Sequence, residues 1–480
     1  MTRAAEPGQA RTRRIYGLET EYGLTSRPRG DRRVGPEEVA RQMFRGMIAW
    51  GRSSNVFLGN GARIYLDVGS HPEYATAECD DLYDLIAHDA VGNRLVEDLR
   101  RLAADQLAAD GTPVDIFLFK NNVDSAGNSY GCHENYLVDR AVDINRYYRI
   151  ILPFLVSRQL IAGAGHLSRT QLYERPDHVP GAHHPTTFQL SQRADQMWDT
   201  VSSATTRSRP MINTRDEPHG DPELYRRLHV IVGDSSMSQT TTLLKVGATE
   251  LVLRLVEARV ALPDLTLDNP NLAIRQISRD LTGRAPVDLA SGRTVTALDL
   301  QRAYLQAVLD HRDRLGPFAP ALEHALELWQ RTLAAVEAGD LDTLSQDIDW
   351  AIKYKLLTRY ADRHGLGPDS PRLAQLDVAY HDIAEGRGLF RLLDAHGEVS
   401  RVVDSAAIER ALTVPPPTRA RLRGAFIDAA RAAEVDYLAD WMHLRVNRGN
   451  QTRALTLRDP FRDTDDRVDA LIASLTESRW

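Results

Sequence analysis

Residues 61–78, GARIYLDVGSHPEYATAE, decide how the rest of the chain is read. In an extended strand the side chains alternate between faces. Arg63, Tyr65 and Asp67 then point one way, and Ile64, Leu66 and Val68 the other. The second set is apolar and suits a core. The first sets a cation, a phenol and a carboxylate side by side, with Glu73 and Thr76 a few residues on. A polar row on an otherwise buried strand is costly unless a ligand, an ion or a partner satisfies it. Residues 13–24, RRIYGLETEYGL, repeat the pattern. Glu19 and Glu21 share a face with Gly17 and Gly23, while Tyr16, Leu18, Thr20 and Tyr22 occupy the other. Two carboxylates one pleat apart repel unless a cation lies between them. Hard divalent ions such as Mg2+ take oxygen ligands, usually one or two carboxylates plus substrate phosphates. Two acid-bearing strands therefore point to a metal–nucleotide site built on a sheet.

The chain has 480 residues, 42% hydrophobic and 26% charged, with a net charge of −7. That length allows a large domain with a smaller appended one. A slightly acidic chain has no general basic field for nucleic acid, and no apolar run is long enough to span a membrane. The two cysteines, Cys79 and Cys132, suit a reducing cytoplasm better than a disulfide framework. The opening MTRAAEPGQARTRR lacks an apolar segment and reads as a disordered lead-in over 1–12, not a secretory signal.

Helical spacing covers 37–50, 80–109 and 146–163, and β-branched and aromatic content marks strands at 114–122, 226–234 and after Gly131. Residues 164–195 are loop-like, and the adjacent His183 and His184 there suit a surface loop. Helices follow from Ser238 and through 300–365, with a packed pair joined at Gly339. Pro415-Pro416-Pro417 breaks the pattern and sets the boundary of a small C-terminal unit. The predicted domains are a catalytic domain over 13–410 and a small domain over 411–480.

P-loop, Rossmann, G-x-S-x-G and H-E-x-x-H motifs are absent. Acids and arginines on a sheet must then hold any nucleotide. Of Arg207, Arg209 and Arg215, one is expected to reach phosphate. His133 and His229 lie in or beside strands, where a histidine is a hydrogen-bonded core residue or a late metal ligand. Trp441 is a core indole or a stacking platform for a base. Arg419, Arg421 and Arg423 form a basic run that reads as a solvated face open to an acidic partner.

Together RRIYGLETEYGL, SSNVFLGNGARIYLDVGSHPEYATAECDDL, FKNNVDSAGNSYGCHENYLV, VSSATTRSRPMINTRDEPH and RRLHVIVGDSSMSQTTTLLKVGATELVL resemble the Pup–protein ligase family, also called proteasome accessory factor A. AQLDVAYHDI and ADWMHL extend the likeness. It implies an α/β (α+β), glutamine synthetase-like large domain with a curved, mostly antiparallel sheet, plus a small C-terminal domain. It implies an ATP- and Mg2+-dependent cytoplasmic ligase. Such an enzyme phosphorylates the side-chain carboxylate of the C-terminal glutamate of Pup, a small disordered protein modifier. A lysine amine of a target protein then attacks, and the tagged target goes to the proteasome. By motif, Glu19, Tyr65 and Glu73 would be magnesium ligands, Arg63, Thr76 and Trp441 would contact ATP, and Asp67 would be the catalytic base. Glu21 shares the face of Glu19 and is a plausible second-metal ligand. The related Pup deamidase/depupylase carries a long insertion between its first acidic strand and the aspartate strand, whereas only 37 residues separate Gly23 from Gly61 here. A non-catalytic Pup-binding protein would need no intact acid set.

Overall fold

The computed structural model describes residues 10–51, 53–67, 69–124, 127–168, 186–204 and 209–476. Alternation sets its first strand, Tyr16–Glu21 (β1). Tyr16, Leu18 and Thr20 are buried, while Gly17, Glu19 and Glu21 are only partly covered. Seven more strands join it: Asn55–Phe57 (β2), Arg63–Leu66 (β3), Pro72–Ala75 (β4), Cys132–Asp139 (β5), Asp199–Ser202 (β6), Pro210–Asn213 (β7) and Tyr225–Val230 (β8). The order is β6-β7-β8-β5-β1-β4-β3-β2, antiparallel throughout except for the β6–β7 pair. This is the mixed, mostly antiparallel architecture that the sequence led us to expect.

One face of the sheet is sealed by helices. Tyr16, Leu18, Ile64, Tyr74, Tyr136 and Leu228 share a core with Leu82–Ala109 (α1), Ile144–Ser157 (α2), Gln239–Glu257 (α3) and Pro320–Ala338 (α4). Helix α3 is buried on every side, as a central helix must be. Its charges survive there because they are paired. Arg14 Nη2 donates to Glu257 Oε2 at 2.8 Å, and Arg254 Nε to Glu250 Oε1 at 2.7 Å. Arg14 thus pins the chain just ahead of β1.

The C-terminal unit has its own core. Arg419–Ala432 (α5) and Asp466–Ala473 (α6) pack on a three-stranded sheet of Asp436–Ala439 (β9), His443–Arg448 (β10) and Gln451–Thr456 (β11). Leu422, Phe426, Leu444, Val446 and Leu471 fill it, and Phe57 of β2 inserts from the large sheet.

Several expectations change. The segment 13–24 is not one strand: Gly23–Pro28 pairs with Val114–Phe119 in a separate two-stranded sheet, so Gly23 leaves the face of Glu19 and Glu21. A Cβ at Gly23 would lie 2.2 Å from the Tyr130 hydroxyl, so any larger residue there must displace that ring. The helix expected over 146–163 splits into Ile144–Ser157 and Gln159–Ala162. The loop expected over 164–195 contains a hairpin of His166–Ser168 with Thr187–Gln189. His183, His184 and Arg207 lie outside the described residues, as do residues 1–9 of the lead-in.

Candidate active site on the open face of the sheet

Residues directly opposite in an antiparallel pair share a face, so the register spells out the face that the helices leave open. Glu21 stands opposite Glu73, and Glu73 opposite Tyr65. One pleat along, Glu19 stands opposite His133 and Ala75, and Ala75 opposite Arg63. Asn135 lies opposite Gly17 and His229, and His229 opposite Asn213. Asp67 follows β3. Its N–H donates to the His71 carbonyl at 3.0 Å, which lengthens the β3–β4 hairpin by one pair and keeps Asp67 beside Glu73. Gly69 and Ser70 close the turn at φ 92° and 65°.

Two groups of donors result. Carboxylate oxygens of Glu21, Asp67 and Glu73 all lie within 4.8 Å of one another, and so do single donor atoms of Glu19, His133 and His229. The groups differ in charge balance. Glu73 is buried with acids on all sides. Burial pushes its pKa well up, Glu19 and Glu21 push it further, a hydrogen bond from Tyr65 draws it back, and Asp67 raises it again. Burial likewise raises the Tyr65 hydroxyl, with Glu73 and Glu19 adding to it. Glu19 is better compensated. Burial opposes its ionisation, but His133, His229 and Arg227 outweigh that and hold its pKa below the usual carboxylate range. His133 Nδ1 donates to Glu19 Oε2 at 3.1 Å and Asn135 Nδ2 to Oε1 at 2.9 Å.

An all-carboxylate trio without a counter-charge fits a hard divalent cation. The mixed trio fits it less well. Asn213 Nδ2 donates to His229 Nδ1 at 3.1 Å, so the ring proton sits on Nε2, a buried donor with no hydrogen-bond partner among the described residues. Such a donor suits an oxyanion. Burial lowers the His229 pKa to about 3, and Glu19 only partly offsets it, so the ring is neutral at physiological pH. Removing one charge from the crowded trio has an expected consequence. Glu73→Gln melts at a higher temperature than the parent chain in the presence of a chelator, and loses the stabilisation that Mg2+ gives the parent. Scanning calorimetry with and without Mg2+ checks both.

From Glu19 the face opens into a cleft between β1, β4 and the C-terminal unit, lined by Gly17, Thr76, Asn135, His219, Arg227 and Trp441. Thr76 is fixed there, its hydroxyl accepting from Leu18 N–H at 3.1 Å. Trp441 packs edge-on against Phe57, with ring centroids 4.9 Å apart. Arg63 stacks its guanidinium on the Tyr65 ring at 4.1 Å and donates from Nε to Asn55 Oδ1 at 2.7 Å, so it sits beside the cleft on the Phe57 side. Thr76 and Trp441 therefore line one cleft with Glu19, and Arg63, Tyr65, Asp67 and Glu73 continue the same face. Arg209 lies elsewhere, donating to Gln196 Oε1 at 3.0 Å, and Arg215 is exposed after β7.

The basic run on α5 is not the solvated face its sequence suggests. Arg419 and Arg423 are fully buried, and both grip Glu78, which follows β4. Only Arg421 is exposed, paired with Asp463 at 3.0 Å. The α5 helix approaches so closely that a Cβ at Gly61 would sit 2.6 Å from Ala420 Cβ, and Gly61 holds φ 82°. Arg227 and Asn135 were missed from sequence. Arg227 and His229, two apart on one strand, carried a signal like that of Glu19 and Glu21, but a single arginine has many commoner fates.

A sequence model described as Pup-ligase protein matches residues 14–445. The Pup–protein ligase of Actinosynnema mirum is 57% identical over 464 residues, covering 96% of this chain and 100% of that one. That of Kribbella flavida is 56% identical with the same coverage. A crystal structure of the complex between the prokaryotic ubiquitin-like protein Pup and its ligase PafA superposes with a TM-score of 0.90 at 44% identity, covering 98% of this chain and 92% of that one. The Pup ligase PafA in complex with ADP gives 0.83 at 44% identity, covering 93% and 97%. This chain belongs to the Pup-ligase family.

Proposed function

We propose that the chain is an ATP-dependent ligase that joins the side-chain carboxylate of the C-terminal glutamate of Pup to lysine amines of target proteins. The single observation that carries this reading is the convergence of Glu21, Asp67 and Glu73 at the end of a cleft that also holds Glu19, Thr76 and Trp441. Family membership supplies the reaction. Trp441 and Thr76, which line the cleft, would contact the nucleotide, with the indole against its adenine ring. Glu19, Tyr65 and Glu73 would hold Mg2+, with Glu21 as a ligand to a second ion, and the metal would offset charge on the phosphoryl oxygens when bound. Arg63 supports the nucleotide beside Trp441.

A carboxylate is a poor acylating agent. Transfer of the terminal phosphoryl group to the glutamate oxygen gives it a good leaving group, and the amine then attacks the carbonyl carbon and expels phosphate. The lysine ammonium, with a pKa of about 10.4, must first lose a proton. Asp67 accepts it from the mouth of the hairpin. We take residues 13–410 as the catalytic domain and 411–480 as the small domain; the large core extends to Ala411 and the second begins at Leu422, which supports that division. Among the described residues no helix is long and apolar enough to cross a membrane. We place the reaction in the cytoplasm, where Pup and its targets meet ATP.

Incubation with ATP, Mg2+, Pup ending in glutamate and a lysine-bearing protein tests the reading. A mass increase on the target supports the ligase. Ammonia release from Pup ending in glutamine, without conjugation, would replace it with a deamidase, and complex formation alone with a binding protein. Trp441→Ala is expected to weaken nucleotide binding by about 5- to 150-fold, since base–aromatic stacking is worth about 1–3 kcal/mol. Titration with ADP reads this directly.

A further inference from the structure

Arg193 stands beyond Glu21 and has no part in the reaction as described so far. It is 3% exposed. Its backbone is held rigidly: the N–H donates to Asp234 Oδ1 and Ser191 Oγ, both at 3.1 Å. Asp234 also accepts from Ala164 N–H at 2.9 Å, Gln192 N–H at 3.2 Å and the Ser191 hydroxyl at 2.9 Å. That carboxylate's hydrogen bonds go to backbone N–H groups and the Ser191 hydroxyl, and none goes to the guanidinium.

Among the described residues the guanidinium has one hydrogen-bond partner. Nη1 donates to the Tyr130 carbonyl at 2.6 Å. Nε is buried without a hydrogen bond, and among the described residues no carboxylate lies within ion-pair distance of Arg193. The peptide that anchors it also abuts the acid trio. Tyr130 is joined to Gly131, whose carbonyl accepts from Glu21 N–H at 3.2 Å. A Cβ at Gly131 would lie 2.7 Å from Glu21 Oε1. Burial lowers the Arg193 pKa, and Glu21 is the anion that most opposes this.

A buried cation with no ion-pair contact among the described residues is costly, and a fold that fixes it from both backbone and side chain keeps it for something absent from the protein alone. The Nε–Nη2 edge is the fork that matches two oxygens of one anion. We propose that Arg193 binds the oxyanion at the reacting end of this site: the phosphoryl group in transfer, or the glutamate carboxylate that receives it. This rests on the ligase reading. As the P–O bond to ADP breaks and the P–O bond to the carboxylate forms, the electron pair of the broken bond stays on ADP. Arg193 offsets charge on the oxygens around the transferring phosphorus, and no proton moves at it.

The test uses the full chain with Arg193→Gln and Arg193→Lys. Ligation by Arg193→Gln falls about 100- to 1,000-fold, ADP affinity stays within about threefold of the parent, and added guanidinium chloride restores part of the rate. Arg193→Lys is intermediate, because a point charge replaces a fork. Calorimetry then separates the two anions. Weaker binding of inorganic phosphate to the ADP–Mg2+ complex, with Pup affinity unchanged, assigns the phosphoryl group. Weaker Pup binding with phosphate unchanged assigns the carboxylate. If neither falls, the inference is overturned. Loss of ADP affinity and melting temperature in step with rate, without guanidinium rescue, overturns it too and makes Arg193 structural. If the parent itself does not ligate, the ligase reading fails, and the phosphate and Pup titrations still judge Arg193.

Discussion

Replacing Asp67 with Asn is expected to slow conjugation by about 10^2- to 10^4-fold, the usual contribution of a positioned base. ADP affinity should stay within about threefold of the parent. The argument is one of position. Asp67 is the last residue of the β3 row and leads the turn closed by Gly69 and Ser70, so an amine arriving at the loop end of the sheet meets it first. Its oxygen also lies within 4.8 Å of oxygens of Glu21 and Glu73, so a competing role as a metal ligand is open to test. Asn keeps one oxygen for a metal but cannot take a proton. A base predicts a rate loss that shrinks as pH rises and more lysine is already neutral, with nucleotide affinity preserved. A ligand predicts that ADP affinity and the Mg2+ requirement shift together. Rates measured from about pH 7 to 9.5 alongside ADP titrations tell these apart. Loss of ADP binding in proportion to the rate would rule out the base.

Much of this face could be read from residues 13–24 and 61–78, because alternation is a strict rule and a strand with one apolar side declares which side is free. Glu19, Glu21, Tyr65, Asp67 and Glu73 meet as that rule requires. It could not show that the strand stops at Glu21, because the residues from Gly23 on take a different partner, Val114–Phe119, far along the chain. Nor could it find β2, β6 and β7, each only three or four residues long and too short for a period to register. Of the three C-terminal strands, β10 does alternate, with His443 and Arg445 exposed against buried Leu444 and Val446, whereas β9 and β11 bury none of their residues fully, so no apolar face declares itself in them. The run at Arg419, Arg421 and Arg423 misled most. Spacing of two on a helix spreads side chains around it, and burial of two of the three depends on one distant acid, Glu78.

That acid makes Arg423→Gln the substitution with the largest expected structural effect. Arg423 is completely buried. It donates to both oxygens of Glu78, to the Gly61 carbonyl at 2.8 Å and to the Trp441 carbonyl at 3.2 Å, and its guanidinium lies 4.9 Å from the Phe57 ring and 5.0 Å from that of Trp441. One side chain thus ties β4, the Gly61 turn and the C-terminal unit to the indole at the cleft. Removing one partner of a buried pair leaves an uncompensated charge and costs about 3–5 kcal/mol. Arg419 remains on Glu78 at 2.9 Å and keeps the loss from being greater. Burial alone would raise the Glu78 pKa, but Arg423 and Arg419 outweigh it and bring it down to about 2 from 4.5. A depressed folded-state pKa gives stability that is full above the unfolded value and fades as pH falls from about 4.5 through about 2. The parent should therefore lose stability across that window, and Arg423→Gln, already missing most of the stabilisation at pH 7, should lose less. Nucleotide affinity should fall as well, because Trp441 loses both its carbonyl anchor and the cation on its face. Denaturant titrations at pH 7 and pH 4 with ADP binding at pH 7 test this, and unchanged stability together with unchanged ADP affinity would show that the junction is held elsewhere.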